Sequence, residues 1–334
     1  MEFTVPKGYN PILSLRETET AIKDIKDRFE SLLSKKLNLT RISAPLFLPK
    51  ESGLNDDLNG VERPVSFEIK GDRRKFEIVQ SLAKWKRFAL ARYGFNSGEG
   101  IYTDMNAIRR DEDTDNLHSV FVDQWDWELI IDRDQRNNDT LKSTVEKIYE
   151  ILKMMENYIN TKYNLGNNIL PDSIYFITSE QLLNMYPKLN PKEREYSIAK
   201  EKGAVFIMHI GDKLSDGNVH DGRAPDYDDW SLNGDIVVYY PVLDIALELS
   251  SMGIRVDESA LLSQLEKSGQ IKRKELPFQK ALLNGELPYT IGGGIGQSRL
   301  CMFFLKKAHV GEVQASAWPE EIKLDYENQG VYLL

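Results

Sequence analysis

The sequence predicts an α+β fold, a mainly antiparallel β-sheet flanked by helices. Three observations carry this. β-like runs come in adjacent pairs, as in Ile101–Arg109 and Ser119–Leu129. Long segments of helical period separate the pairs, without the regular strand–helix–strand spacing of a parallel sheet. Finally, two of the strands alternate apolar side chains with carboxylates, glutamine and serine, so one face of the sheet is polar.

In chain order, Ile22, Ile25, Phe29, Leu32, Leu33 and Leu37 recur at helical spacing and predict an amphipathic helix from Ser14. It runs into "LTRISAPLFLP", a β-rich segment broken by Pro45 and Pro49, and then into the polar loop "GLNDDLNG". "VSFEIK" and "KFEIVQ" read as a hairpin across Gly71 and Asp72. "SLAKWKRFALARYGF" reads as a helix with Ser81 as its cap. The charged loop "RDEDTDN" joins the next two strands. Thr140–Tyr163 is a helix by the period of Leu141, Val145, Ile148, Leu152 and Met155. A strand (Ser173–Thr178), two short helices ended by Gly203 and a strand (Ala204–Ile210) follow. "GDKLSDGNVHDGRAPDYDDWSLNG" reads as a long polar loop of the functional kind. A β-rich block, Asp235–Val256, leads through a helical linker to a glycine-rich stretch and an apolar helix. With no internal repeat, low-complexity tract or flexible linker, a single domain over residues 1–334 is the expectation.

Composition narrows the function classes. The chain has 43 basic and 52 acidic residues, a formal charge of −9, which argues against a broad nucleic-acid footprint. The one cysteine, Cys301, lies in an apolar run, so an internal disulfide and a multi-cysteine metal site are excluded and a buried inert thiol is expected. No cationic start with an apolar core opens the chain, and no apolar run reaches membrane-spanning length. A soluble cytoplasmic protein without membrane or nucleic-acid partners is the expectation.

The stretch "PYTIGGGIGQSRLCMFFL" places Gly292, Gly293, Gly294 and Gly296 between a β-like run and the apolar helix. A backbone kept bare lets a phosphate or a flat ring approach, and it also serves a tight turn before a core helix. Neither common phosphate motif fits: Gln297 and Ser298 stand where Walker A has Lys and Ser/Thr, and Gln297 replaces the third glycine of the dinucleotide pattern. In "HSVFVDQWDWEL", Phe121, Trp125, Trp127 and Leu129 alternate with Val122, Gln124, Asp126 and Glu128. In "LDIALELSSMGIRV", Ile245, Leu247 and Leu249 alternate with Asp244, Ala246, Glu248 and Ser250. Gln124, Asp126, Asp235 and Glu248 on one sheet face are strongly negative; water solvates such a face, or cations bind it. Mg²⁺ characteristically takes one or two carboxylates plus a substrate's phosphates. Arg109, Arg255 and Arg299 end or follow these segments, and arginines among carboxylates suit a nucleotide beside an amino acid.

Here the residues reach a resemblance. "IYTDMNAIRRDEDTDNLHSVFVDQWDWE" resembles motif 2 of the class II aminoacyl-tRNA synthetases (about residues 100–129), and "GGGIGQSRL" resembles motif 3 (about 289–306), with Arg299 as its arginine. The first helix, strand and Pro45 resemble motif 1 (about 14–49), which builds the homodimer interface of that superfamily. More closely, "SLAKWKR", "LKSTVE", "GDKLSDG", "RAPDYDDW", "LNGDI", "ELSSMGIRVD" and "TIGGGIGQSRL", in order, resemble the ammonia-dependent asparagine synthetases, the aspartate–ammonia ligase family. The resemblance implies a class II synthetase-like catalytic domain that joins ammonia to the side-chain carboxylate of L-aspartate through a β-aspartyl adenylate, giving asparagine, AMP and pyrophosphate. It implies Arg109 on the α-phosphate, Arg299 on the distal phosphates, Arg223 as a further phosphate contact, and Mg²⁺ on Asp235 and Glu248. It also implies that ATP lies against Gly292, Gly293 and Gly294. Gln124, Asp126, Asp228, Ser250, Ser251 and Arg255 would hold aspartate. Asp56 would collect the ammonium and Lys86 would stabilise developing charge, although Asp57 and Lys84 compete for those roles. His118 and His220 are assigned supporting roles.

The nitrogen source follows from the residues as well. Glutamine-dependent synthetases of this chemistry carry a catalytic cysteine directly after the initiator Met; position 2 here is Glu2, so free ammonia is the expected nucleophile. Two other readings remain at this stage. A compact aspartyl- or asparaginyl-tRNA synthetase relative would place an anticodon-binding domain ahead of motif 1, which here begins near Ser14. A non-catalytic amino-acid-sensing paralogue would have lost the arginines or carboxylates, and all are present.

Overall fold

Residues 3–55 and 62–334 are described by a computed structural model. Ser14 opens α1 (Leu15–Leu37) with a capping box: its hydroxyl accepts from the Glu17 amide, and the Glu17 carboxylate accepts from the Ser14 amide at 2.9 Å. The chain continues through β1 (Leu39–Arg41), β2 (Phe47–Pro49), β3 (Ser66–Glu68), β4 (Lys75–Ile78), α2 (Ala83–Tyr93), β5 (Gly100–Ile108) and β6 (Phe121–Ile130). Then come α3 (Asn138–Tyr163), β7 (Tyr175–Thr178), α4 (Ser179–Met185), α5 (Pro191–Lys202), β8 (Ala204–Met208), β9 (Asp228–Tyr240) and β10 (Ile245–Arg255). The last elements are α6 (Glu258–Lys267), α7 (Pro277–Leu283), β11 (Thr290–Gly296), α8 (Gln297–Phe304) and α9 (Glu320–Asn328).

Among the described residues, eight strands form one sheet in the order β1-β5-β6-β11-β10-β9-β8-β7. Its junctions are antiparallel except the outermost, β1–β5 and β7–β8, which are parallel. A second, three-stranded sheet follows the order β2-β4-β3. One face of the large sheet carries the main core under α1, α3 and α8: Phe29 of α1 stacks on Trp125 at 4.6 Å, with Trp127, Ile236, Met252 and Ile295 beside them. This is the apolar side of the alternation. On the other face α5 covers β9 and β10, and α2 packs on β5 and β6. The middle of that face, over β6, β11 and β10, stays open between them.

Three expectations need correction. Gly292, Gly293, Gly294 and Gly296 do not follow a strand; they are within β11, the first three paired on both sides and Gly296 with β6 alone. Backbone pairing with two neighbours outweighs the weak strand preference of glycine. "DDWSLNG", read as loop, is the first half of β9, with Asp228, Asp229 and Asn233 buried and Ser231 exposed. Ser81 is not the cap of α2: Leu82 holds that position, and the Ser81 hydroxyl accepts instead from the Ala83 amide at 3.1 Å. Among the described residues no helix is long and apolar enough to cross a membrane.

Candidate active site

The open face is a trough whose floor is β11. Gly296, Gly294 and Gly292 stand opposite Gln124, Asp126 and Glu128 of β6, and Gly294 and Gly292 stand opposite Ser251 and Gly253 of β10. A strand without side chains thus runs between two polar strands. A Cβ on Gly294 would collide with the Gln124 amide, and one on Gly292 with the Glu128 carboxylate and the Arg255 guanidinium. Gly293, Gly294 and Gly296 line a cavity of about 480 Å³, but Gly292 does not. The room at Gly292, expected for nucleotide, is used by the protein's own ion pair.

That pair anchors a buried ionic cluster. Arg255 donates from Nε to Glu128 Oε1 at 2.9 Å and from one terminal nitrogen to Oε2 at 2.8 Å, while its other terminal nitrogen bonds Asp228. Lys86, from α2, pairs with Asp126, lies 3.3 Å from Glu128 and donates to the Trp127 carbonyl at 2.8 Å. Thr290 donates to Glu128 at 2.6 Å. Burial opposes the charge of Glu128, but Arg255 and Lys86 overcome it and hold the carboxyl near about 2. Burial raises the Asp228 carboxyl against the pull of Arg255. Asp126, Glu128 and Asp228 share Lys86 and Arg255 as directly paired cations, with buried Arg87 acting on Glu128 at longer range, and Asp126 and Asp228 also line the cavity. Carboxylates at a cavity wall can take an ammonium group. Lys86 itself is fully buried behind these carboxylates and does not line the cavity.

At the other end, Arg109, Arg223 and Arg299 line the cavity. Arg109 directly follows β5, and its amide donates to the Val120 carbonyl at 2.8 Å. Arg223 bonds Asp235 and reaches Asp221 at 3.2 Å. Arg299 lies 3.8 Å from the Glu248 carboxylate. A bulge in β10 between Glu248 and Ser250 shifts the register by one, so Ser251, not Ser250, faces the same way as Glu248 and stands opposite Asp235. Ser250 also lines the cavity, but it pairs with Ile236 and Ile295 of the core, and its hydroxyl donates to the Gly294 carbonyl at 3.0 Å, so of the two serines Ser251 shares the face of Glu248.

Asp235 and Glu248 were expected to hold a metal. Burial pushes the Asp235 carboxyl up to about 6, with Arg223 pulling it down and the like charge of Glu248 adding to the rise. Its Oδ1 accepts no close hydrogen bond among the described residues, though the Ser251 hydroxyl opposite it adds a weak downward pull. A weakly supported oxygen beside a second carboxylate fits a hard divalent cation, and no third His, Cys, Asp or Glu of the described residues joins them. Such a cation would take its remaining ligands from phosphates and water, the habit of Mg²⁺. Asp235 does not line the cavity, whereas the Arg223 guanidinium bonded to it does.

Two predicted residues stay outside the picture: Asp56 and its neighbour Asp57 lie outside the described residues. Lys84 pairs with Asp226 at 3.0 Å, away from the cluster. His118 Nδ1 sits 2.9 Å from Asp115, and buried His220 Nε2 sits 3.1 Å from Glu195. Cys301 is buried and its thiol is pushed up to about 12, an inert group. Sequence reasoning missed Glu128 as a site residue, although its alternation with Gln124 and Asp126 carried the signal.

Comparison with known proteins matches residues 16–330 to the family model described as aspartate–ammonia ligase. The chain belongs to the aspartate–ammonia ligase family. Relatives in this family include the aspartate–ammonia ligase of Clostridium perfringens strain 13, 63% identical over 99% of this chain and 98% of its own length. That of Limosilactobacillus reuteri is 57% identical over the whole of both chains. Among solved structures, the asparaginyl-tRNA synthetase of Pyrococcus horikoshii, complexed with asparaginyl-adenylate, superposes with a TM-score of 0.65 at 14% identity, covering 95% of this chain and 76% of that one. This member of the aspartate–ammonia ligase family thus has the class II synthetase fold expected from its motifs.

Proposed function

We propose that this protein condenses L-aspartate with ammonia at the expense of ATP, giving L-asparagine, AMP and pyrophosphate. The observation that carries this reading is a single cavity with a zwitterion pocket at one end, around Gln124, Asp126, Asp228 and Arg255, and three arginines at the other. Family membership supports it, since relatives over the full chain length bear the name of this activity.

Oxide is too poor a leaving group for ammonia to displace, so the carboxylate must first be activated. The aspartate side chain attacks the α-phosphorus of ATP and pyrophosphate departs; ammonia then attacks the carbonyl carbon of the β-aspartyl adenylate and AMP departs. Catalysis of this kind is mostly placement and charge neutralisation. The negative cluster takes the α-ammonium of aspartate, with Gln124 and Ser251 beside it. Arg109 meets the α-phosphate, and Arg223 and Arg299 meet the distal phosphates. Lys86 acts from behind, fixing Asp126 and Glu128. A divalent cation, Mg²⁺ in this reading, would be held by Asp235 and Glu248 and would neutralise phosphate charge. The exposed side of α1 and the open edge of β1 would form the interface of a homodimer.

The assay is direct. Aspartate, ATP and ammonium together are expected to yield AMP and pyrophosphate in equal amounts, with glutamine inactive in place of ammonium. ADP as product, or equal turnover with glutamine, refutes the reading. A second prediction concerns pH. A protonated carboxyl is a poor metal ligand, so the Mg²⁺ concentration giving half-maximal rate should rise as pH falls through about 6, where Asp235 gains its proton. A half-saturating Mg²⁺ concentration flat from pH 7.5 to 5.5 removes Asp235 from the metal site.

A further inference from the structure

Lys192 lines the cavity but comes from none of the strands that build the trough; it is near the start of α5. Its ammonium lies 3.0 and 3.3 Å from the two oxygens of Glu195, and Glu195 faces Nε2 of buried His220 at 3.1 Å. His220 belongs to residues 211–223, the segment that delivers Asp221 and Arg223 to the cavity. The same segment is fastened to α4 and α5 twice more: the Ser215 amide donates to Glu180 at 3.0 Å, and Asp216 lies 4.0 Å from Arg194. Lys192 therefore stands at a fixed junction, on the side of the cavity occupied by Asp221, Arg223 and Glu248.

The charge balance gives this ammonium a task. Arg223 is already engaged by Asp235 and Asp221, and Arg299 lies beside Glu248. A triphosphate entering here meets cations largely committed to carboxylates. Lys192 is solvent-accessible, and its stem leaves the ammonium free to leave one oxygen of Glu195 for a phosphate oxygen. Glu195 keeps its contact with His220 after that exchange. A point charge on a flexible stem also suits a group that moves away as pyrophosphate.

We propose that Lys192 is a further phosphate-binding residue, contacting the distal phosphates of ATP and the pyrophosphate that leaves. This rests on the proposed adenylate-forming reading, and it adds a cation from a helix outside the three synthetase motifs. The test uses the full-length protein, Lys192→Met and Lys192→Arg, with binding of ATP, AMP and pyrophosphate measured by calorimetry beside steady-state kinetics. Lys192→Met is expected to weaken ATP and pyrophosphate by about tenfold, with AMP binding, aspartate KM and melting temperature unchanged; Lys192→Arg should recover most of the loss. Equal weakening of AMP and pyrophosphate, or unchanged pyrophosphate binding, overturns the proposal. Wild-type protein that makes no AMP, yet binds pyrophosphate in a Lys192-dependent way, would sink the reaction and leave the phosphate contact standing.

Discussion

Arg109→Ala is expected to lower aspartate-dependent adenylate formation by about 10³-fold or more while leaving the fold and its melting temperature in place. The first half follows from chemistry. Charge builds on the α-phosphate oxygens as the carboxylate attacks, and an arginine placed there stabilises the transition state more than bound ATP. The second half follows from how Arg109 is held. Its backbone amide, not its side chain, closes the hairpin to Val120, and among the described residues the guanidinium's one ion-pair contact is with Glu112, at 4.0 Å. Its Nε is buried without a hydrogen-bond partner among the described residues. The side chain is placed but not committed, so the fold loses little when it is removed. Aspartate-dependent exchange of labelled pyrophosphate into ATP, measured beside thermal unfolding, checks both halves. Exchange at near-normal rate would take Arg109 out of the site. A variant that fails to unfold cooperatively would instead show that the side chain is structural.

Much of this arrangement was legible in the sequence because it obeys short periods. The α1 stripe of Ile25, Phe29 and Leu33 and the β6 alternation of Trp125 and Trp127 with Gln124 and Asp126 are local patterns, and both faces lie where they predict. What local pattern could not carry is register and partnership. The β10 bulge that puts Ser251, rather than Ser250, on the face of Glu248 leaves no mark in an alternating sequence, since "ELSSMG" reads equally well in either phase. The β9 segment "DDWSLNG" looked like loop because its carboxylates are neutralised by Arg255 and Arg136, residues far away in the chain. The glycines of β11 read equally as a ligand-approach backbone or a tight turn for the same reason: the need for bare backbone at Gly292 and Gly294 comes from Glu128 and Gln124 of another strand. Lys192 gave no signal, because a lysine on a polar helix is ordinary until the fold turns it toward a cavity.

Arg255→Met should produce the largest loss of stability, about 3–5 kcal/mol at neutral pH, together with loss of activity. Arg255 is fully buried and is the direct cation for two carboxylates, Glu128 and Asp228. Methionine fills much of the volume, so the cost is electrostatic rather than a cavity. Glu128 keeps Lys86 at 3.3 Å and the Thr290 hydroxyl at 2.6 Å, whereas Asp228 loses its directly bonded cation and keeps the longer-range pull of Arg223. The pH dependence separates this account from simple misfolding. In the native protein Glu128 titrates near about 2, below its ordinary value of 4.5, so its contribution is present above that ordinary value and fades as pH falls toward 2. In the variant Asp228 is a buried carboxylate without its partner, and its folded pKa rises further above the unfolded value. The folded variant then binds a proton that the unfolded chain does not, so its stability recovers as pH is lowered from 7.5 toward 5. The gap between native and variant proteins, measured by denaturant unfolding at both pH values, should therefore narrow on acidification. Arg255→Met combined with Asp228→Asn should regain part of the loss at pH 7.5, because the second change removes the stranded charge. A gap that is the same at both pH values, with no recovery in the double variant, would mean that Arg255 stabilises the sheet by packing and that charge balance does not govern this end of the trough.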